Sequence, residues 1–297
     1  MTHVTRERRR ALPFEGTVDD IHKTLARFNQ ERFRPALPGT LLFEPGQNLA
    51  LEQMEVGFVE NMRNDVQAYL ADMPQDAPSF MTWFESLKAW APGQNDRLFP
   101  WLATQASFDQ MKWFLQQEVA GEAGFEDLVA LTQVKMPTRV KLEMARNYWD
   151  EMGRGHEKGM HGPMLRRLAR HFGIKADISA TVPESLALGN LMSALDAHRQ
   201  YAYHSVGALG AIELTAPGRA QDVRLGLERL KVPHKVSHYF TLHAVLDVKH
   251  AAAWNSEVIL PLVLQDFRCA RYIAEGALMR LLCGQRCFDV YRERFAI

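Results

Sequence analysis

Cysteine is scarce in this chain, and a net charge and long apolar runs are missing. Three cysteines among 297 residues are too few for the disulfide framework of a small secreted domain. Lys and Arg together number 35, as do Asp and Glu, and the two signs are interspersed. This balance offers no electrostatic footprint for nucleic acid or for an anionic membrane, so we expect neither as a partner.

No apolar run reaches the roughly 20 residues that a membrane-spanning helix requires. The first residues, MTHVTRERRRALPFEG, also lack the apolar stretch of a secretory signal peptide. We therefore expect a cytoplasmic protein, in which a reducing environment keeps cysteines as thiols. Cys283 and Cys287 could form half of a metal site, but no Cys or His pair nearby completes it, so we interpret them as structural residues.

Strand patterns are equally scarce, because apolar residues recur at intervals of three and four almost everywhere. The sequence therefore predicts an all-α fold. The expected helices cover 19–34, 48–72, 78–91, 107–134, 137–152, 157–173, 184–214, 217–231, 234–252 and 254–283, with a short piece after Gly284.

No Ser/Gly-rich spacer, low-complexity tract or internal repeat divides the chain. Hydrophobic residues make up 47% of it, enough to bury a substantial core. We predict an N-terminal helical extension over residues 1–105, packed on a helical core over residues 106–297.

One segment, SHYFTLHAVLDVKHAAAW, places His243, Asp247 and His250 at positions i, i+4 and i+7 of a single helix. At about 100° per residue the three lie within about 60° of one another and form one stripe. Two imidazoles and a carboxylate suit iron, manganese or zinc better than magnesium or calcium. The apolar neighbours of the stripe favour a metal site over a solvated polar face with chance spacing.

Two other segments offer further ligands. Glu151 ends a predicted helix before a glycine-rich turn, and His161 follows that turn, so the glycines allow the chain to bring the two together. Taken alone, Glu151 fits an exposed carboxylate near a helix end better than a ligand. Glu213 lies in a small-residue, apolar helix predicted to end at Pro217, where a charge is costly unless it is paired or coordinated. This context favours a ligand.

The first helix of the predicted core carries several acidic residues. Glu118 and Glu122 share its apolar stripe at a spacing of four, which makes either one a candidate ligand. Glu126 is expected to face water. A solvated, glutamate-rich helix face is an equally good interpretation of either Glu118 or Glu122 alone.

Six of these candidates, taken in chain order, resemble the ligand pattern of the haem-oxygenase-like diiron oxidases and oxygenases. They are Glu151, His161, Glu213, His243, Asp247 and His250. The resemblance covers about residues 107–252, and the His-x3-Asp-x2-His triplet is its most specific element. It implies a seven-helix haem-oxygenase-like bundle that holds two Fe(II)/Fe(III) ions, takes O2 as co-substrate and draws electrons from an external reductant.

The separations from Glu151 to His161 and from Glu213 to His243 are similar to those of the N-oxygenase branch of this family. Members of that branch draw a further carboxylate from the first core helix, and Glu122 best fits that place. Glu118 or Glu126 matches after a small gap, so all three stay open.

The resemblance implies a non-haem diiron oxygenase that oxidises a small metabolite, with N-oxygenation of an amine as the favoured reaction. Oxidative C–C cleavage, decarboxylation or desaturation of an amino or fatty acid is the alternative enzymatic reading. A metal-binding helical bundle without turnover is the alternative from another class. The expected partners are a small-molecule substrate, an electron donor and, by analogy with related bundles, a second copy in a homodimer.

Overall fold

The computed structural model describes residues 17–37, 45–121 and 124–297, and these form thirteen α-helices and no strand. The helices are α1 Val18–Phe33, α2 Pro45–Asp65, α3 Ala77–Trp90, α4 Leu98–Thr104, α5 Phe108–Gly121, α6 Phe125–Thr132, α7 Thr138–Glu151, α8 His161–Phe172, α9 Pro183–Ala197, α10 Ala202–Arg229, α11 His234–Ala253, α12 Leu260–Gln265 and α13 Arg268–Phe295. A π-helix, Trp254–Ile259, joins α11 to α12. The predicted all-α fold is confirmed.

Helix α10 lies at the centre of the bundle and packs against α4, α11 and α13. Its crossing with α13 brings the two backbones into contact at a pair of glycines. A Cβ atom at Gly207 would lie 1.8 Å from the carbonyl oxygen of Ile273, and one at Gly276 would lie 1.9 Å from that of His204. Glycine at both positions is therefore what allows the helices to approach this closely.

The prediction that the helix of Glu213 ends at Pro217 was wrong, because α10 continues through this proline. Proline has no N–H to donate to the carbonyl four residues earlier, which here is the carbonyl of Glu213. The helix persists since residues on both sides of the proline, including Thr215 and Val223, are buried against neighbouring helices. Tertiary packing thus outweighs the local cost of the proline.

Several other predicted boundaries also differ. The helix predicted over 254–283 is the π-helix followed by α12 and α13. The helix predicted over 184–214 is two helices, α9 and α10, separated by a short 3-10 turn at Arg199–Tyr201. The helix predicted over 107–134 is α5 and α6, and Gly124, at φ +75°, precedes α6. Helix α13 continues through Gly284 because the residues that flank this glycine are buried. Helix α4 was not predicted.

Two hydrophobic clusters make up most of the described core, and α10 and α13 contribute to both. The first includes Phe80 and Phe84 of α3, and the second includes Leu98 and Leu102 of α4. Helices before residue 106 therefore share their core with helices after it, and the boundary proposed there stays a prediction. The three cysteines, all in α13, are buried and form no disulfide.

None of the described helices has the length and apolar character needed to cross a membrane.

Buried ion pairs tie the N-terminal helices to the bundle. Glu55 of α2 is fully buried, and both of its carboxylate oxygens accept hydrogen bonds of 2.8 Å from Arg32 of α1. Nε2 of His198, at the end of α9, lies 2.7 Å from the same carboxylate. This bidentate geometry fixes α1, α2 and α9 relative to one another.

A second buried carboxylate, Glu275 of α13, joins α2 and α10. Its Oε2 lies 2.9 Å from Nε of Arg63 and 3.1 Å from Nε2 of His204. Burial alone would raise the pKa of Glu275, but the hydrogen bonds of His204 and Arg63 lower it to about 2. The ionised carboxylate is therefore the form that the fold stabilises.

The α10–α13 contact can be tested with Gly207→Ala. We expect this change to lower the free energy of unfolding by about 3 kcal/mol or more, since the new Cβ overlaps a backbone oxygen. Gly218→Ala is the matched control, because a Cβ there meets nothing within 4 Å and lies in the same helix. The control should be neutral or stabilising by up to about 1 kcal/mol in urea unfolding. Equal stability of the two variants would contradict the predicted clash.

The pH dependence of stability tests the Glu275 cluster. The pKa of Glu275 lies below its ordinary value of 4.5, so its contribution is present above pH 4.5 and is lost as the pH falls towards 2. Glu275→Gln should cost about 3 kcal/mol at pH 7, and this difference should shrink between pH 5 and pH 3. Glu228→Gln, which alters an exposed pair with Arg224, should change little at any pH. A pH-independent effect of Glu275→Gln would rule out the ionised cluster.

Candidate metal centre

Six of the seven predicted ligands converge where α7, α8, α10 and α11 meet. Five of the six are at least nine-tenths buried, and the side chain of His243 is 15% exposed. The six are Glu151 at the end of α7, His161 at the start of α8, Glu213 in α10, and His243, Asp247 and His250 in α11. The seventh, Glu122, lies outside the described residues.

The glycine-rich turn between α7 and α8 folds back tightly. Gly153 and Gly155 have φ values of +60° and +82°, and a Cβ at Gly153 would lie 2.5 Å from the backbone of Gly159. The fold brings Nδ1 of His161 into close contact with Oε2 of Glu151. The turn thus joins two candidate ligands that are ten residues apart in the sequence.

One group of donors forms around His250. Its Nδ1 lies 3.6 Å from Oε1 of Glu151 and 3.6 Å from Oε2 of Glu213, and the donor atoms of the three residues lie within 4.8 Å of one another. This Nδ1 is buried and makes no hydrogen bond to any described residue. A buried imidazole nitrogen facing two carboxylates in this way fits a metal ligand.

A second group adjoins the first. Nδ1 of His243 lies 3.0 Å and 3.2 Å from the two carboxylate oxygens of Asp247. The rings of His161 and His243 are 4.3 Å apart between centroids. Oδ1 of Asp247 lies 4.0 Å from Nδ1 of His250, so Asp247 faces both groups.

Glu151 also faces both groups. Oε1 faces His250, whereas Oε2 contacts His161. The six side chains therefore form two pairs, Glu213 with His250 and His161 with His243. The carboxylates of Glu151 and Asp247 lie between the pairs.

Burial and neighbouring charges shift the pKa values of several groups in the site. Burial raises the pKa of Glu213, and the nearby Asp247 carboxylate raises it further. Burial would lower the pKa of His250, but Glu213, Asp150 and Asp247 together raise it to about 9. Burial and the charges of the other two histidines hold the pKa of His161 well below its ordinary value. Three clustered carboxylates with mixed nitrogen and oxygen donors suit a borderline divalent metal such as iron.

Sequence reasoning missed two residues that orient the candidate ligands. Nδ2 of Asn147 donates a 2.6 Å hydrogen bond to Oε1 of Glu213, and Oδ2 of Asp150 lies 3.2 Å from Nε2 of His250. Asn147 precedes Glu151 by four residues on α7, so the two share a helix face. That spacing could have indicated Asn147 as a residue near the site. The acidic pair Asp150–Glu151 at the helix end could have indicated Asp150.

The two alternatives to Glu122 lie in different places. Glu118 accepts a 3.1 Å hydrogen bond from the hydroxyl of Tyr291 and lines a cavity that continues from the metal centre. Glu126 lies beside Gly162, since a Cβ built on that glycine would be 3.4 Å from its Oε1. Which of the three is the first-helix ligand stays a prediction.

The cavity has a volume of about 190 Å³ and adjoins the candidate ligands. Five of the six candidates line it, together with residues of α5, α9, α10 and α13. Apolar side chains such as Leu165, Leu188 and Phe240 form much of its wall. A small molecule in this cavity would contact the donors directly.

The helical fold and this carboxylate–histidine centre define a haem-oxygenase-like protein with a candidate metal site. Residues 112–285 match the model of the family described as iron-containing redox enzymes. The match covers more than half of the chain, and the protein belongs to this family. The prediction is therefore confirmed as far as the haem-oxygenase-like, iron-containing redox enzymes, and this family identifies the protein as an oxidoreductase.

Two solved structures are similar to this chain. A domain of unknown function with a haem-oxygenase-like fold, from Shewanella denitrificans, has a TM-score of 0.53 and 16% identity, covering 72% of this chain and 89% of its own. A CADD-like protein of unknown function from Nostoc punctiforme has a TM-score of 0.49 and 17% identity, covering 78% of this chain and 97% of its own. No curated protein matches the sequence. The Shewanella structure supports the fold, and the N-oxygenase branch stays a prediction.

The orienting role of Asp150 can be tested by metal titration. Asp150→Asn should weaken Fe(II) binding to the metal-free protein about tenfold under anaerobic conditions, because the ring of His250 loses its carboxylate partner. Arg154→Gln is the matched control, since Arg154 is the exposed partner of the same carboxylate, at 2.6 Å. Wild-type affinity in Asp150→Asn would show that Asp150 does not position His250.

Proposed function

We propose that this protein binds two iron ions and uses O2 to oxidise a small metabolite, with N-oxygenation of an amine as the favoured reaction. The observation that carries the proposal is the arrangement of the six candidate ligands. Two pairs of donors face each other, and the carboxylates of Glu151 and Asp247 lie between them.

In this proposal Glu213 and His250 hold one ion, and His161 and His243 hold the other. Glu151 and Asp247 are shared, and Glu122 of the first core helix adds a seventh ligand. Iron bound there would supply the redox chemistry that activates O2.

The protein positions these ligands in advance. The amide of Asn147 holds one oxygen of Glu213 and leaves the other directed at His250. Asp150 fixes the opposite nitrogen of the His250 ring. Ligands oriented by such contacts need little rearrangement when a metal binds.

The cavity restricts the substrate to a small molecule. Its volume of about 190 Å³ lies below the roughly 300–1,000 Å³ of sites for drug-sized ligands. Apolar side chains exclude water from the reacting group. N-oxygenation places one oxygen atom of O2 on the amine nitrogen and releases the other as water, with two electrons and two protons from an external donor.

The alternative reaction is oxidative C–C cleavage, decarboxylation or desaturation by the same centre. The charged groups Glu118, Arg219 and Arg280 in the cavity wall favour an amino acid over a fatty acid as substrate of either reaction. The products distinguish the two reactions.

Iron content tests the metal assignment. We expect about two Fe(II) per chain after anaerobic loading, and Asp247→Ala or His250→Ala should lose about one of them because each removes a direct ligand. Circular dichroism should show an intact bundle. His234→Ala, an exposed histidine on the same helix, should load like the wild type. Unchanged iron content in both ligand variants would refute the assignment.

Labelled oxygen tests the reaction. The iron-loaded protein is supplied with a reductant, ¹⁸O2 and small amines or amino acids, and the products are identified by mass spectrometry. One ¹⁸O atom bound to nitrogen is the expected result. A shortened or desaturated product without an N–O bond would establish the alternative reaction. Iron binding without any O2 consumption would leave a metal-binding bundle without turnover.

A further inference from the structure

The cavity has a second polar region, formed by α5, α10 and α13. We call it the arginine end and define it by Gln117, Glu118, Arg219 and Arg280. None of these four residues belongs to the six candidate ligands, although the same cavity reaches both sets. The arginine end therefore faces whatever molecule the metal centre acts on.

Two hydrogen-bond donors at the arginine end are unsatisfied. Nε of Arg280 is buried without a hydrogen-bond partner among the described residues. Gln117 is fully buried, and its Oε1 accepts a 2.9 Å hydrogen bond from the backbone N–H of Val182. Its Nε2 has no described partner. Buried donors of this kind are costly unless a ligand accepts from them.

Arg219 adds a second positive charge to the same region. Its guanidinium lies over the rings of Phe99 and Phe288, at 5.4 Å and 4.8 Å from their centroids, and donates a 3.0 Å hydrogen bond to the carbonyl of Gly93. Burial and the charge of Arg280 lower the pKa of Arg219 to about 10, which leaves Arg219 protonated at neutral pH. This pair of cations suits an anion.

The carboxylates of Glu118 and Asp96 offset part of the positive charge of Arg219, and Glu118 also accepts the hydroxyl of Tyr291. Neither carboxylate accepts a hydrogen bond from Nε of Arg280. A guanidinium fork matches the two oxygens of a carboxylate.

The spacing along α10 indicates the length of molecule that could reach both ends of the cavity. Arg219 follows Glu213 by six residues, so their backbone positions are about 9 Å apart along the helix axis. A short aliphatic chain covers this distance. A molecule with a carboxylate at one end therefore reaches the candidate ligands with its other end.

We propose that Arg280 and Arg219, with the amide of Gln117, bind the carboxylate of the substrate, and that the substrate is a short amino acid whose amine reaches the metal centre. The inference rests on the proposed function and adds the substrate class. In this arrangement the arginine end selects the molecule, whereas the iron site oxidises it.

Calorimetric titration of the metal-free protein tests the carboxylate site without catalysis. The probes are 6-aminohexanoate, hexanoate and hexylamine, and the first spans about 7 Å from carboxylate to amine. We expect both carboxylates to bind at least about tenfold more tightly than hexylamine. Arg280→Gln should weaken hexanoate binding about tenfold or more, and Arg280→Lys, which keeps the charge but loses the fork, should weaken it less. Arg170→Gln, an exposed arginine of α8, is the matched control.

The outcomes separate this inference from the proposed function. Wild-type affinity for hexanoate in Arg280→Gln, with thermal unfolding showing a folded variant, would overturn the carboxylate site. Equal binding of hexylamine and hexanoate by the wild type would overturn it as well. Loss of hexanoate binding in Arg280→Gln, together with normal iron content, would support the site. If the wild type then forms no N–O product, the proposed oxygenation fails and the carboxylate site stands.

Discussion

The backbone contact between α10 and α13 determines where the functional groups of this protein lie. Gly207 and Gly276 allow the two helices to touch without intervening side chains. Helix α10 then presents Glu213 to the metal centre and Arg219 to the cavity, and α13 presents Arg280 to the same cavity. A side chain at either glycine would separate the helices and displace all three groups together.

The candidate metal centre places several charged side chains in the interior of the bundle, where neighbouring groups must compensate their charge. Buried carboxylates are unfavourable unless they are paired, hydrogen-bonded or coordinated. Asn147 and His250 provide part of that compensation for Glu213. A divalent cation would add to it, and the same contacts keep the donors in place for one. Stability and metal affinity are thus coupled in one set of side chains.

Much of the candidate site could be predicted because its signals are local. The spacing of His243, Asp247 and His250 within eight residues predicts that they share one helix face. The glycines after Glu151 predict the turn that follows it. The structure brings these residues together with Glu213, although their role as ligands stays a prediction. Arg280 and Arg219 are 61 positions apart in the sequence, and no local pattern links them. Their shared cavity depends on the crossing of two helices, which is a property of tertiary packing.

The errors in the predicted helices have the same origin. Pro217 and Gly284 are local breaking signals, yet both lie inside long helices because the flanking residues are buried. The break between α9 and α10 carries no proline or glycine. There the chain turns where His198 reaches Glu55 of a distant helix. Local propensity was overridden in each case by contacts that the sequence alone does not display.

Pro217 lies between Glu213 and Arg219 and removes the backbone hydrogen bond to the carbonyl of Glu213. A helix that lacks one of its bonds bends more easily at that point than on either side. The segment of α10 between the candidate metal centre and the arginine end therefore contains a weakened point in its backbone hydrogen bonding. A molecule that contacted both ends of the cavity would lie along the part of α10 that bends most easily.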